Sequence, residues 1–164
     1  PTITGTLTWT QIETVAYTNA GQFQRQTLFT ATLPASATVS VVVNCAPGQV
    51  FIISHVLGSV YIAAIDPVVQ FNSSGVAAVT EFSLAFNDAF ADAANIALIL
   101  INTGDTDITS VESYDRIQEQ SEFVGVALPA SFSRRGASSA VVDLTVEPAG
   151  TTAILVELSK NDTN

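Results

Sequence analysis

The chain has 164 residues, which is enough for one domain with a sizeable core. Fifteen acidic residues against five basic ones give a net charge of −10, so the chain lacks the cation clusters with which proteins bind nucleic-acid phosphates. Hydrophobic residues make up 48% of the chain, but no apolar run reaches the roughly 18 to 20 uncharged residues of a membrane helix. We therefore expect a soluble protein that binds neither nucleic acid nor a membrane.

Polar and apolar residues alternate with a period of two in the first part of the chain, a pattern typical of half-buried strands. Within Thr2 to Thr10, apolar residues and one glycine alternate with threonines, which predicts a strand with one packed and one polar face. The segments Gln22 to Leu33 and Val39 to Asn44 predict two further strands.

The middle of the chain is richer in apolar residues. The segment Val50 to Ile65 is too long for one ordinary strand, so we expect a bend, a bulge or a hairpin at Gly58-Ser59. Val68 to Phe71 leads to Asn72-Ser73-Ser74-Gly75, whose composition predicts a turn. The strand pattern then resumes over Val76 to Phe86.

One segment predicts a helix. Asn87 to Asn95 is rich in alanine and begins with Asn87 or Asp88 as a capping residue, but it spans only about two turns and would be a connector. Ile96 to Ile101, which follows, is a continuous apolar run of the kind found in strands buried on both faces.

Four more strands are predicted in the last part of the chain: Ile108 to Gln118, Phe123 to Leu128, Ala140 to Glu147 and Thr152 to Ser159. About nine or ten short strands and one connector helix, with no internal repeat, predict a single all-β domain over residues 1–164. We expect an antiparallel β-sandwich, for which jelly-roll connections are one topology. Residues 160–164 are predicted to form a frayed tail.

One histidine and one cysteine leave little material for catalysis. His55 directly follows Ser54 in a predicted strand, so the two side chains point to opposite faces and cannot act as base and nucleophile. With Cys45 as the only thiol, the chain cannot supply the ligands of a usual catalytic zinc site. We predict that the protein is not an enzyme, with no catalytic residues and no cofactor.

Two short motifs are candidates for binding. Asp105 and Asp107 stand two residues apart in the loop Asn102 to Asp107, like the first half of a calcium loop. No glutamate follows at the position that such a loop requires, so a turn without metal is the favoured interpretation. Arg134 and Arg135 form either a solvated loop tip or an anchor that binds the carboxylates of a partner.

The Thr-rich strands carry little of the charge that keeps copies of a protein apart, so we expect a homo-oligomer, either a dimer or a trimer. Together with the absence of a signal-peptide pattern after Pro1 and of an active site, these strands resemble the small all-β decoration (cement) proteins of tailed phages. The resemblance implies a virion component that staples neighbouring major capsid subunits and is assembled in the host cytoplasm.

A second hypothesis is a carbohydrate-binding module or the adhesive head of a fibre. Tyr17, Asn19, Tyr61 and Tyr114 would then be candidate sugar contacts. An enzyme of unrecognised type is the third and least favoured hypothesis.

Overall fold

The computed structural model describes residues 2–19, 22–32, 38, 40–44, 68–76, 79–103, 108–119, 128–135, 139–144 and 150–159. Every regular element in these ranges is a β-strand, which confirms the predicted all-β class. Accordingly, none of the described segments forms a helix with the length and hydrophobicity needed to cross a bilayer. The segment 50–65, with its predicted bend, bulge or hairpin, most of the predicted strand 123–128 and the tail 160–164 lie outside the described residues.

The described ranges hold twelve strands, two or three more than the patterns predict. They are β1 (Thr2–Gly5), β2 (Thr10–Asn19), β3 (Gln22–Thr30), β4 (Val41–Asn44), β5 (Val68–Val76), β6 (Glu81–Ala85), β7 (Ile96–Thr103), β8 (Ile108–Val111), β9 (Asp115–Glu119), β10 (Leu128–Arg135), β11 (Ser139–Leu144) and β12 (Thr151–Leu158). All of the described pairings between strands are antiparallel.

Four sheets follow from these pairings. The largest has five strands in the order β5-β12-β7-β10-β9, and the second has three in the order β6-β11-β8. The β1–β4 pair and the β2–β3 hairpin each form a two-stranded sheet. Most of these partners are distant in sequence, so the fold depends on long-range strand pairing.

The main core lies between the five-stranded and the three-stranded sheet, which is the packing of a β-sandwich. One side of it comes from alternate residues of β7 and β12, and the other from alternate residues of β6 and β11 and from the two end residues of β8. The buried members are Phe82, Leu84, Phe86, Ala97, Ile99, Ile101, Ile108, Val111, Tyr114, Ala140, Val142, Ala153 and Leu155.

The opposite face of the five-stranded sheet is covered as well. Leu98 and Leu100 of β7 cluster there with Val156 and Leu158 of β12, and Leu28 of the β2–β3 hairpin packs against them. Because layers lie on both sides, all eight residues of β12 are buried. The same two-sided burial of β7 confirms the prediction made from its continuous apolar run.

Two glycines allow the hairpin to approach the sheet closely. A Cβ atom on Gly75 would lie 2.8 Å from the carbonyl oxygen of Ala16 in β2, and a Cβ on Gly150 would overlap the ring of Tyr17. Any larger residue would push β2 away from the strands it covers.

The predicted connector helix is not seen, because residues 87–95 form turns and bends between β6 and β7. The Asp92 carboxylate accepts a hydrogen bond from the amide of Ala94 (2.7 Å), and the Asp92 carbonyl accepts one from the amide of Asn95 (2.9 Å). The amide of Ala91 donates to Glu157 instead of joining a helix. These local and tertiary bonds compete with a helix that is too short to be stable alone.

The predicted turn at Asn72 to Gly75 is also wrong. These residues continue β5, where they pair with Leu155 to Thr152 of β12. The side chain of Asn72 donates a hydrogen bond to the Ala85 carbonyl oxygen at 2.6 Å. Gly75 has no side chain at the point where the backbone of β2 lies close to β5. Turn-forming composition was therefore overridden by packing.

Two predicted strands are each divided in the structure. Gly5 has a φ of 151° and ends β1, so the segment Thr2 to Thr10 is not one strand. Ser113, with a φ of 62°, forms the turn that separates β8 from β9 within Ile108 to Gln118. Positive φ values break the alternation that a period-two pattern assumes.

Candidate functional site

The most polar feature of the described core is the carboxylate of Glu157. It belongs to β12, a central strand, and the residue is fully buried. Its register partners are Ala97 on β7 and Gln70 on β5. The side chain points to the same side as Leu155, where the connector 87–95 closes the end of the sandwich.

Three groups donate hydrogen bonds to this carboxylate. The side-chain amide of Asn95 donates to Oε1 at 2.6 Å, and the backbone N–H of Ala91 donates to the same oxygen at 2.9 Å. The amide of Gln70 donates to Oε2 at 2.6 Å and also to the Ala89 carbonyl oxygen at 3.2 Å. Both carboxylate oxygens of Glu157 therefore have partners, as a buried charge requires.

This arrangement anchors one segment to another. Asn95 and Ala91 belong to the connector, whereas Gln70 belongs to β5, so one carboxylate ties the connector to two adjacent strands. All of the donors are amides, and none is an acid, a base or a nucleophile. The geometry suits a structural role and offers no proton-transfer partner.

Two polar side chains whose oxygen atoms are buried lie on the opposite face of the same sheet. Thr152 of β12 and Asn102 of β7 are register partners, and neither Thr152 Oγ1 nor Asn102 Oδ1 has a hydrogen-bond partner in the described structure. A hydroxyl and an amide can bind a water or a small polar group, but they cannot serve as acid or base.

The outer face of the three-stranded sheet carries two acids side by side. Glu81 of β6 and Asp143 of β11 are register partners, and the Ser110 hydroxyl donates to Asp143 Oδ2 at 2.7 Å. Within the described ranges, no group of three or more His, Cys, Asp or Glu side chains is placed to hold a metal ion. Asp105 and Asp107, the calcium candidates, lie outside the described residues, as do His55 and Cys45.

Arg134 and Arg135 are the last two residues of β10, where they pair with Ala97 and Ile96 of β7. They therefore end a strand that sequence reasoning largely missed, rather than forming a loop tip. Their role as an anchor for a partner's carboxylates stays a prediction.

Two of the four residues proposed for sugar binding have structural roles. Tyr114 is buried, and its hydroxyl donates to the Ser139 carbonyl oxygen at 3.0 Å. The ring of Tyr17 lies against Gly150 under the hairpin. Asn19 ends β2, and Tyr61 is outside the described residues. The structure thus gives no cluster of exposed tyrosines among the residues it describes.

The exposed large hydrophobic residues of the described chain are few. Val42 is 48% exposed on β4, and Val69 and Phe71 are 43% and 38% exposed on β5. β5 is an edge strand of the five-stranded sheet, while β4 belongs to the β1–β4 pair, hereafter the ribbon. The exposed large hydrophobic residues of the described chain therefore lie in these two places.

Comparison with known proteins adds no relative: no family model, no curated protein and no solved structure matches the chain.

Proposed function

We propose that the protein is a non-enzymatic structural protein of a virion, a capsid decoration (cement) protein that oligomerises and stabilises the shell. Its partners would be further copies of itself and a major capsid or other virion protein, joined in the host cytoplasm. The observation that carries the proposal is the ribbon formed by β1 and β4.

The ribbon is held together by its own residues. Its four backbone pairs run from Thr2 opposite Asn44 to Gly5 opposite Val41. The Asn44 amide also donates to Thr4 Oγ1 at 3.3 Å. The ribbon packs extensively against no other described strand. Since a two-stranded sheet is marginally stable at best in water, a surface that covers the ribbon would stabilise it.

The surface that the ribbon presents is uncharged. None of its eight residues is acidic or basic, and Thr2, Thr4, Val42 and Asn44 are exposed. In a chain of net charge −10, such a neutral strip is where another protein can approach with least repulsion. Threonine and valine on this ribbon suit burial against a protein surface rather than the binding of phosphates or a small substrate.

The buried polar groups are consistent with a role without catalysis. Among the residues whose burial the structure describes, Glu157 is the one charged side chain that is fully buried, and its hydrogen bonds hold the connector in place. A shell protein needs such internal anchoring, because its task is to keep one shape under load.

The test begins with the genome, where the proposal expects a major capsid gene near the gene for this chain. The binding partner in the assay is the shell assembled from that capsid protein. Purified protein is added to shells that lack it, and co-sedimentation and the temperature of shell disruption are measured. We expect saturable binding at a fixed ratio to capsid subunits and a higher disruption temperature. A chain that neither sediments with the shell nor changes its disruption temperature contradicts the proposal.

A pair of variants locates the contact. Val42→Lys places a charge in the centre of the ribbon and should weaken binding by about tenfold or more, as truncation of a well-packed contact does. Ser83→Lys adds the same charge to an exposed position of β6, on the outer face of the three-stranded sheet, and should leave binding within about twofold. Equal losses in the two variants would show that net charge matters and that the ribbon does not.

A further inference from the structure

The outer edge of β5 is a second surface, one to which the described part of the chain supplies no partner strand. β5 is nine residues long and stands at one end of the five-stranded sheet, paired with β12 on its inner side. No other described strand pairs with its outer side. An edge of this kind presents a row of N–H and C=O groups ready to pair with another strand.

The composition of β5 makes its edge unusual. The strand reads Val-Val-Gln-Phe-Asn-Ser-Ser-Gly-Val, with no charged residue and no proline. The strand at the opposite edge of the same sheet, β9, has charged residues at Asp115, Arg116 and Glu119 among its five positions. Charges, prolines and β-bulges are among the usual devices that stop edge strands from pairing with other chains. β5 has no charge and no proline, and its one register shift, which leaves Val69 without a partner in β12, lies near its first residue.

Apolar side chains reinforce the contrast. Val69 and Phe71, both on β5, are two of the three exposed large hydrophobic residues in the described chain. Phe71 is the register partner of Val156, so it lies on the hairpin side of the sheet, whereas Asn72 points towards β6. Pairing with another strand would give hydrogen bonds to the outward N–H and C=O groups of this edge. It would also bury the exposed ring of Phe71.

We propose that β5 pairs antiparallel with β5 of a second copy across a two-fold axis, joining two five-stranded sheets into one. Two copies that each carry −10 repel, so they approach best through a strip without charge, and β5 is the longest such edge in the described structure. Antiparallel pairing of identical strands is self-complementary, as a two-fold interface must be. The pairing also brings both copies of Val69 and Phe71 to the contact.

This inference deepens the proposed function and rests on one part of it, the association of copies, for which it names the contact. Dimerisation through β5 needs no shell. The two ideas can fail separately: shell binding is measured by co-sedimentation, and the dimer is measured with the purified chain alone.

The experiment is sedimentation equilibrium of the wild-type chain and three variants, over concentrations from about 1 to 200 μM, a range that detects dissociation constants in the micromolar region. The wild type should behave as a dimer that dissociates on dilution. Phe71→Lys and Val69→Lys should each raise the dissociation constant by about tenfold or more, although each lowers the net negative charge. Ser83→Lys makes the same change of charge on β6 and should stay within about twofold of the wild type.

The contradicting outcomes are equally definite. A wild type that is monomeric at the highest concentration overturns the proposal, and so does a trimer, which a two-fold contact cannot form. A dimer that persists in both β5 variants, or that Ser83→Lys weakens equally, also overturns it. Circular dichroism checks that each variant is folded; if Phe71→Lys is not, Val69→Lys decides.

Amide hydrogen exchange provides a second readout without mutation. In an edge strand, every second N–H points outward. Pairing should therefore protect alternate amides of β5, whereas the amides that already bond to β12 should exchange at an unchanged rate. We expect those amides to exchange about tenfold more slowly at high than at low protein concentration. Protection that appears on β9 instead, or nowhere, rules out pairing through β5.

Discussion

The carboxylate of Glu157 offers the sharpest test of how the core is held together. Glu157→Ala removes the acceptor of three hydrogen bonds and leaves a cavity in a strand that is buried on both faces. The Asn95 amide, which is buried, loses an acceptor, whereas Gln70 and the Ala91 amide are closer to solvent. The loss of three hydrogen bonds, together with the cavity, should cost about 3–5 kcal/mol.

Glu157→Gln separates charge from shape. The glutamine carbonyl oxygen can keep the bonds from Ala91 and Asn95, but its NH2 group meets the amide of Gln70, which must turn over and give up the Ala89 carbonyl. Hydrogen bonds to a charged acceptor are about twice as strong as neutral ones, and relief of charge burial offsets part of the loss. We expect a loss of about 1–2 kcal/mol.

The assay is urea unfolding of the two variants and of Glu81→Gln, an exposed acid on β6 that should change stability by less than about 0.5 kcal/mol. Exchange of the Ala91 amide is followed in parallel and should accelerate most in Glu157→Ala. If Glu157→Ala costs less than about 1 kcal/mol, or if the Ala91 amide exchanges as in the wild type, the carboxylate does not anchor the connector.

Three further predictions concern the backbone. Gly150→Ala should cost about 1–3 kcal/mol in thermal unfolding, because its Cβ overlaps the ring of Tyr17, and Tyr17→Ala in the same chain should recover part of the loss. Gly5→Ala should speed amide exchange in the ribbon while leaving the main unfolding transition in place, since its Cβ overlaps the Ser40 carbonyl at a φ that favours glycine. Ser113→Gly should stabilise the chain by up to about 1 kcal/mol, because Ser113 has a φ of 62°; a loss of stability in urea would contradict this.

The strands that the sequence predicts best are those whose environment is the same along their whole length. β7 and β12 are apolar over most of their length because layers cover both faces, and both were predicted within a few residues. β2 was missed: its register shifts between Gln11 and Glu13, so one bulge interrupts the period-two pattern. β10 was largely missed too. Pro129 and the arginine pair are unusual in a strand that is paired on both sides, and β10 lies between β7 and β9.

Errors of the opposite kind arose where tertiary contacts decide the local structure. The composition of Asn72 to Gly75 favours a turn, but β12 supplies a pairing partner and β6 an acceptor for the Asn72 amide. In residues 87–95, capping residues and alanines favour a helix, but the backbone N–H of Ala91 donates its hydrogen bond to Glu157. No local pattern contains these distant partners. Glu157 did leave one signal: it is the only charged residue in β12.

The proposed use of β5 depends on how firmly its inner side is held. Gln70 is bonded to Glu157, Asn72 to the Ala85 carbonyl, and Gly75 lies under β2, so the strand is fixed along most of its length. A strand that is already ordered loses little conformational entropy when it pairs, which favours association. Edge pairing and core packing should therefore be coupled.

Asn72→Ala tests that coupling, because its side chain points towards β6 and away from the side on which Phe71 lies. Removing its bond to Ala85 should loosen β5, speed exchange of the β5 amides and raise the dimer dissociation constant by about two- to fivefold, with Val69 and Phe71 unchanged. Ser83→Ala, on the exposed face of β6, is the matched control and should alter neither quantity. Faster exchange with an unchanged dissociation constant would mean that β5 pairs without needing to be ordered beforehand, and that the inner bonds serve the fold alone.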